Sequence, residues 1–149
     1  CLVGSEMCIR DRLEAKYRRA EQEAVRFEAR ETEDADIVLV GYGIVARVLK
    51  EVVEAARAEG LRVGLLRPIS LYPFPVAEIQ HLAKHAHAFA VVEMSTGQLV
   101  EDVRLALEGR RPVEFYSRVG GNVPASDAVL GFVRDTLVKH VKQPEVVHV

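Results

Sequence analysis

The architecture of this chain follows from one stretch, which reads Asp36-Ile37-Val38-Leu39-Val40-Gly41-Tyr42-Gly43-Ile44-Val45-Ala46. It contains four consecutive apolar residues, three of them β-branched, and this pattern predicts a strand that is buried on both faces. Two glycines then bracket Tyr42, and the apolar residues that follow recur at the spacing of an amphipathic helix. A buried strand that turns directly into a helix begins a βαβ unit.

The same alternation continues along the chain. Apolar strands are predicted at residues 62–67, 88–93 and 113–117, with helical patterns between and after them. Pro68 is expected to end the first of these strands, and Ser95 or Thr96 to cap the helix after the second. Residues 25–29 predict a short edge strand whose connection is too short for a crossover, so it should be antiparallel. We therefore predict the α/β class, with a three-layer α/β/α domain and a five-stranded, mostly parallel sheet that has one antiparallel edge strand.

Composition indicates an ordinary globular domain. Hydrophobic residues make up 49% and charged residues 28% of the 149 residues. The net charge of -2 gives no reason to expect nucleic acid or an anionic membrane as a partner. No apolar run approaches the roughly 20 residues that span a bilayer, so a cytoplasmic protein is the default expectation.

The first twelve residues, which include Cys1 and Cys8, show no convincing period and resemble translated adapter read-through. We expect residues 1–12 to be non-native, residues 13–24 to form a linking helix, residues 25–141 to form the domain and residues 142–149 to be a tail. Beyond residue 12 there is no cysteine, which excludes a disulfide, a thiolate nucleophile and an iron–sulfur cluster there. A piece of a longer protein is expected, with its N-terminal part missing.

The turn at Gly41-Tyr42-Gly43 has two interpretations. With Ala46 it fits the G-x-G-x-x-[G/A] pattern of dinucleotide-binding turns. Such a site also needs an acidic residue at the end of the next strand, and Arg67 stands there instead. A tight turn with close helix–strand packing is favoured. A stand-alone Rossmann-like nucleotide-binding module and a flavodoxin-like domain without cofactor remain alternatives.

No catalytic or metal site is predicted. His81 and His85 are four residues apart on one predicted helix, with His87 nearby, so two imidazoles could face the same way. A zinc site needs three or four ligands, and no residue is positioned as an obvious third or fourth, so solvated histidines are expected. No G-x-S-x-G nucleophile motif is present.

Three loops should gather where the parallel strands end, which is the edge at which open α/β sheets bind their ligands. We predict this edge to be an interface or ligand edge. Its candidate residues are Gly41, Tyr42, Gly43, Arg67, Tyr72, Phe74, Glu93, Gly97 and Gln98.

Residues 32–43 (TEDADIVLVGYG), 63–75 (VGLLRPISLYPFP) and 91–98 (VVEMSTGQ) together resemble the alpha subunit of 2-oxoacid:ferredoxin oxidoreductases. The resemblance is to the C-terminal domain of that subunit, which is related to the transketolase C-terminal domain. Residues 112–121 (PVEFYSRVGG) are most similar to the branched-chain (2-oxoisovalerate) type, followed by the 2-oxoglutarate type. Ser95 and Tyr72 stand where many relatives have asparagine and tryptophan, which bears on the substrate subtype.

The resemblance implies a thiamine-diphosphate enzyme that decarboxylates a 2-oxoacid oxidatively, forms an acyl-CoA and reduces ferredoxin. It implies thiamine diphosphate, magnesium and iron–sulfur clusters in the full complex, but none bound by these residues, and it assigns no catalytic residue here. The implied partners of the chain are a beta subunit and a ferredoxin-like subunit. The complex as a whole would also bind ferredoxin and coenzyme A. The implied role of the chain is structural assembly.

Overall fold

Helices and strands alternate through most of the computed structural model, which describes the backbone of residues 2–141 and the side chains of residues 6–21 and 23–141. In chain order the elements are α1 (Leu2–Glu23), β1 (Phe27–Arg30), β2 (Ile37–Val40), α2 (Gly43–Ala58), β3 (Val63–Pro68), α3 (Val76–Leu82), β4 (Ala88–Glu93), α4 (Gln98–Leu107), β5 (Val113–Ser117) and α5 (Ser126–His140).

The five strands form one sheet in the order β1-β3-β2-β4-β5. β1 runs antiparallel to β3, and the other neighbouring pairs are parallel. The predicted sheet is therefore confirmed, with β2 at its centre. The antiparallel β1 distinguishes it from an entirely parallel flavodoxin-like sheet. Pro68 ends β3 as predicted, but it still takes part in the ladder: it pairs with Phe27 of the edge strand, beyond the point where β2 stops pairing at Leu66.

Each face of the sheet carries its own hydrophobic core. Ile37 and Leu39 of β2 belong to the core beneath α2 and α5, whereas Val38 and Val40 belong to the core beneath α3 and α4. All four side chains are fully buried. Each contributes roughly 1.5–3 kcal/mol by removal from water. The three-layer α/β/α prediction is thus confirmed.

The turn before β2 packs directly onto β3 because residue 64 is glycine. A Cβ on Gly64 would lie 2.5 Å from the carbonyl oxygen of Glu31 and 2.9 Å from the Cα of Thr32. Such distances are too short for a real side chain without movement of the backbone. The turn and the strand therefore form one packed unit at the end of the sheet where the parallel strands begin.

Arg57, in the last turn of α2, holds this turn in place. Its Nη2 donates to the carbonyl oxygen of Glu31 at 2.7 Å, and its guanidinium makes two hydrogen bonds, of 2.6 and 3.0 Å, to the carboxylate of Asp34. The hydrogen bond from Arg57 is the main cause of the lowered pKa of Asp34. Helix α2 then ends at the predicted place, with Gly60 in the left-handed conformation at φ +80°.

Helix α1 includes most of the segment that the sequence predicts to be non-native, since it begins at Leu2. Near its end, the ring of Tyr17 meets that of Tyr72 edge to face, with 6.4 Å between their centroids. The linking role of residues 13–24 stays a prediction, and the predicted tail, residues 142–149, lies outside the described residues. None of the described helices is long and apolar enough to cross a membrane.

The close approach at Gly64 gives a test of the packing. We expect Gly64→Ala to lower the free energy of unfolding by about 1–3 kcal/mol, because the new methyl group overlaps the backbone of Glu31. Gly131→Ala in α5 is the matched control, since nothing lies within 4 Å of its added Cβ. It should leave stability unchanged or raise it by up to about 1 kcal/mol. Urea denaturation measures both, and equal stability of the Gly64→Ala and wild-type chains would contradict the packing.

Candidate functional site

The carboxyl ends of the four parallel strands meet at one edge of the sheet, which we call the carboxyl edge. Loops at residues 41–42, 69–75, 94–97 and 118–125 leave it. The strand order reverses between β2 and β4, and open α/β sheets bind ligands at such a reversal. The predicted site residues lie in or beside the first three of these loops.

The two glycines after β2 serve the backbone in different ways. A Cβ on Gly41 would lie 2.6 Å from Cδ1 of Leu49 and 3.2 Å from the carbonyl oxygen of Val92, so Gly41 permits close packing of α2 and β4. Gly43 has φ +59° and open space around it, so it supplies the left-handed turn into α2. Tyr42 makes no capping hydrogen bond and packs against the core beneath α3 and α4. The glycine pattern thus has a structural explanation.

Glu93, the last residue of β4, is almost completely buried, with 1% of its surface exposed. Its Oε2 accepts hydrogen bonds from the backbone N–H of Leu99 at 3.0 Å and from the hydroxyl of Ser95 at 2.7 Å. Its Oε1 accepts from the backbone N–H of Val100 at 3.4 Å. A carboxylate at the beginning of a helix is stabilised by the unpaired N–H groups and by the helix dipole. Glu93 therefore fastens α4 to the end of β4.

This arrangement corrects the predicted cap of α4. Gly97 is the N-cap residue, and neither Ser95 nor Thr96 caps the helix with its side chain. The carboxylate of Glu93 takes that role because it is buried within reach of the first N–H groups of the helix. The N–H groups of Leu99 and Val100 are thereby satisfied within the chain, so these two are not available to a bound phosphate.

Gly97 and Gln98 differ in their surroundings. Gly97 has φ +120°, and an added Cβ would lie 3.3 Å from Cγ1 of Val100, so both conformation and space favour glycine. Gln98, the first residue of α4, is exposed at the carboxyl edge.

Arg67 lies on the opposite face of the sheet from the predicted aromatic residues Tyr42 and Phe74. It lies opposite Glu28 in the β1–β3 ladder, and its Nη1 donates to Oε2 of Glu28 at 3.2 Å. Lys50 of α2 holds the other carboxylate oxygen at 2.7 Å, and its hydrogen bond is the main cause of the lowered pKa of Glu28. Arg67 thus lies on the α2 side of the sheet, whereas Tyr42 and Phe74 pack on the opposite side. The Nε of Arg67 is buried without a hydrogen-bond partner among the described residues.

The loop after β3 is held by the hydroxyl of Ser70. This hydroxyl accepts a hydrogen bond from the backbone N–H of Arg26 at 2.8 Å and donates to the carbonyl oxygen of Pro73 at 3.0 Å. The loop presents Tyr72 to solvent with 66% of its surface exposed. Phe74 turns inward and packs against the core beneath α3 and α4. The two predicted aromatic residues therefore have different environments.

Exposed apolar side chains concentrate at the carboxyl edge. Within residues 25–141 the large exposed ones at or beside this edge are Phe27, Ile44, Ile69, Leu71, Tyr72, Val76, Val119 and Val123. The remaining ones, Leu105 and Val138, lie singly on α4 and α5. Single exposed apolar residues are ordinary, whereas a large exposed apolar patch is typical of interaction sites, so this edge is the candidate functional site.

The opposite edge of the sheet, which we call the amino edge, carries paired charges instead. The pairs are Arg57 with Asp34, Arg62 with Asp36, and Lys139 and His140 with Glu114. Hydrogen bonds from Lys139 and then His140 hold the pKa of Glu114 below its ordinary value. The charged groups of these pairs thus bind one another within the chain, in contrast to the apolar carboxyl edge.

Several residues of the carboxyl edge were not predicted from the sequence. Ile44, Ile69, Leu71, Val119 and Val123 follow strand ends but belong to no buried stripe. Large apolar residues directly after predicted strands, outside the helical period, are the signal that could have indicated them.

The histidines of α3 and the segment after it do not form a common site. His85 Nε2 lies 2.9 Å from the carbonyl oxygen of Thr32, and His81 is exposed. Among the residues that the structure describes, no group of three or more His, Cys, Asp or Glu side chains is arranged to hold a metal ion.

The strand order and the helices on both faces define the class of protein as a transketolase-like α/β/α domain. A solved split-gene transketolase, described as an inactive beta4 tetramer, matches with a TM-score of 0.66 and 21% identity, over 76% of this chain and 41% of that chain. This likeness concerns the fold alone.

The family follows from the sequence comparison. Residues 35–129 match the model of the pyruvate:ferredoxin oxidoreductase core domain II, and the chain belongs to this family.

Two relatives with related activities are similar to the chain. The ketoisovalerate oxidoreductase subunit VorB of Methanothermobacter thermautotrophicus is 50% identical over 123 residues, which are 83% of this chain and 35% of that protein. The 2-oxoglutarate:ferredoxin oxidoreductase of Magnetococcus marinus, solved with 2-oxoglutarate, coenzyme A and succinyl-CoA bound, matches with a TM-score of 0.67 and 25% identity. That match covers 74% of this chain and 19% of the other. The chain thus spans about a third of the length of VorB.

The buried carboxylate of Glu93 gives a test of the edge structure. Glu93→Ala should lower the free energy of unfolding by about 1–3 kcal/mol, because the N–H of Leu99 loses its partner in a buried position. Glu93→Gln should lose less, since one acceptor oxygen remains. The control is Glu101→Gln in α4, where the exposed pair of Glu101 with Arg104 contributes less than about 1 kcal/mol. Urea denaturation compares the three, and equal effects at positions 93 and 101 would refute the capping role.

Proposed function

We propose that this chain is the assembly domain of the alpha subunit of a thiamine-diphosphate-dependent 2-oxoacid:ferredoxin oxidoreductase. The enzyme would convert a 2-oxoacid, coenzyme A and oxidised ferredoxin into an acyl-CoA, carbon dioxide and reduced ferredoxin. Membership of the core domain II family supports this proposal, as does the similarity to VorB. The domain would hold the parts of the enzyme that bear the cofactors in register.

The observation that carries the proposal is the apolar carboxyl edge. Its exposed side chains come from two separate loops, 69–75 and 118–125, and from the beginnings of β1, α2 and α3, so they form a surface rather than a single protrusion. The polar groups beside them, Glu93 and Ser70, already bond within the chain. A mixture of apolar area and satisfied polar groups suits contact with another protein better than capture of a small charged ligand.

The proposed partners are the beta subunit and a ferredoxin-like subunit of the same enzyme. The iron–sulfur clusters would be held by other parts of the complex, since they need cysteine thiolates and the only cysteines here are Cys1 and Cys8. Thiamine diphosphate and magnesium would also be held by other parts of the complex. A cytoplasmic location stays a prediction from the sequence.

We propose 2-oxoisovalerate as the substrate of the complex. The 50% identity to the ketoisovalerate oxidoreductase subunit supports it, and the 2-oxoglutarate enzyme is the more distant of the two at 25%. The selectivity itself would reside in residues beyond this domain, because the family resemblance assigns no catalytic residue to it.

A matched pair of substitutions tests the assembly role. Val119 at the carboxyl edge and Val138 on α5 are exposed to 55% and 57%, so valine→aspartate changes the two surfaces equally. In the full-length alpha subunit, Val119→Asp should weaken binding of the beta subunit by about 100-fold or more, because an unpaired charge would be buried in the interface. Val138→Asp should bind as wild type. Titration with purified beta subunit measures the dissociation constants.

Two results would contradict this role. If Val138→Asp weakened binding while Val119→Asp did not, the carboxyl edge would not be the interface. If an alpha subunit without this domain bound the beta subunit as tightly as the complete one, the domain would have no assembly role.

A further inference from the structure

A groove of about 840 Å³ lies beside the carboxyl edge, between the end of α1, the beginning of β1 and the segment 72–80. Val25, Phe27, Phe74 and Val76 give it an apolar lining. Phe27 and Val76 are more than a third exposed, so this area is open to solvent. The groove can therefore receive side chains from outside the domain.

The charged residues that line the groove are both acidic. They are Glu21 of α1 and Glu78 of α3. Among the side chains that the structure describes, neither carboxylate has a cationic partner within salt-bridge distance, whereas Glu28 nearby is held by both Lys50 and Arg67. A groove with an apolar lining and two unpaired carboxylates complements a segment that is apolar and basic.

Tyr72 stands at the side of this groove in a loop that is already fixed. The backbone N–H groups of Ile69 and Ser70 donate to the carbonyl oxygen of Arg26 at 2.9 and 3.0 Å, and the Ser70 hydroxyl joins the same loop to Pro73. Binding at Tyr72 would thus cost little conformational entropy, and exposed tyrosines on rigid supports are frequent binding hot spots.

We propose that this groove binds a segment of the beta subunit that presents apolar side chains flanked by lysine or arginine. The proposal rests on the assembly function proposed above and assigns the anchor within that interface. Burial of Glu21 and Glu78 against a neutral apolar surface would leave two desolvated carboxylates without partners. A basic residue on either side of the apolar contact removes that penalty and sets the orientation of the segment.

The test uses the full-length alpha subunit and purified beta subunit. Tyr72→Ala should weaken binding by about 30-fold, as expected for an aromatic hot spot. Glu78→Lys should weaken it by about 10-fold, mainly through slower association, and should diminish the loss of affinity that the wild-type subunit shows as salt is raised. Leu105→Ala and Glu51→Lys, at exposed positions on α4 and α2, are the matched controls and should bind as wild type. Surface plasmon resonance at two salt concentrations measures the rates.

The outcomes separate the groove from the assembly function. If the wild-type subunits bind but Tyr72→Ala and Glu78→Lys bind equally well, the groove proposal is wrong and the assembly role stands. If only Tyr72→Ala weakens binding, the occupant is apolar without the basic residues, which also overturns the proposal. If the wild-type subunits do not bind each other, the assembly function itself fails. If Tyr72→Ala instead dissociates a dimer of the alpha subunit in sedimentation, a second copy occupies the groove and the beta subunit does not.

Discussion

The whole structure depends on β2 being paired along both edges and covered on both faces. Ile37 to Val40 are fully buried, and the parallel ladders with β3 and β4 satisfy the strand's backbone groups. A strand in this position requires helices above and below it, which α2 and α5 supply on one face and α3 and α4 on the other. It also requires tight approaches at its ends, and Gly41 and Gly64 permit them.

The parallel direction of the inner strands separates two kinds of surface. Every loop that follows a parallel strand emerges at the carboxyl edge, while the connections back from the helices reach the amino edge. The amino edge carries charge pairs such as Arg57 with Asp34. The carboxyl edge keeps its polar groups bonded internally through Glu93 and Ser70, and it leaves aliphatic and aromatic side chains in contact with water. This asymmetry supports the proposed assembly role.

Features that depend on local pattern could be predicted from the sequence. The bounds of β4 and β5 agree with the predicted apolar runs, and Gly60 ends α2 as its position indicates. Features that depend on distant residues could not. The cap of α4 comes from Glu93 rather than from a residue adjacent to the helix, and the pairing of Arg67 with Glu28 is set by the register of β1 against β3. The groove combines residues of α1, β1 and α3, so no single segment of sequence reveals it.

Hydrogen exchange of the alpha subunit, measured with and without the beta subunit, tests the central claim most directly. Amide protection reports which backbone segments are covered or stabilised by a partner. Complex formation should slow exchange in residues 41–44, 69–76 and 118–125 of the carboxyl edge. Residues 31–34 and 57–62 of the amino edge should exchange at the same rate in both states. Protection confined to the amino edge, with the carboxyl-edge loops unchanged, would contradict the assignment of the carboxyl edge as the assembly surface.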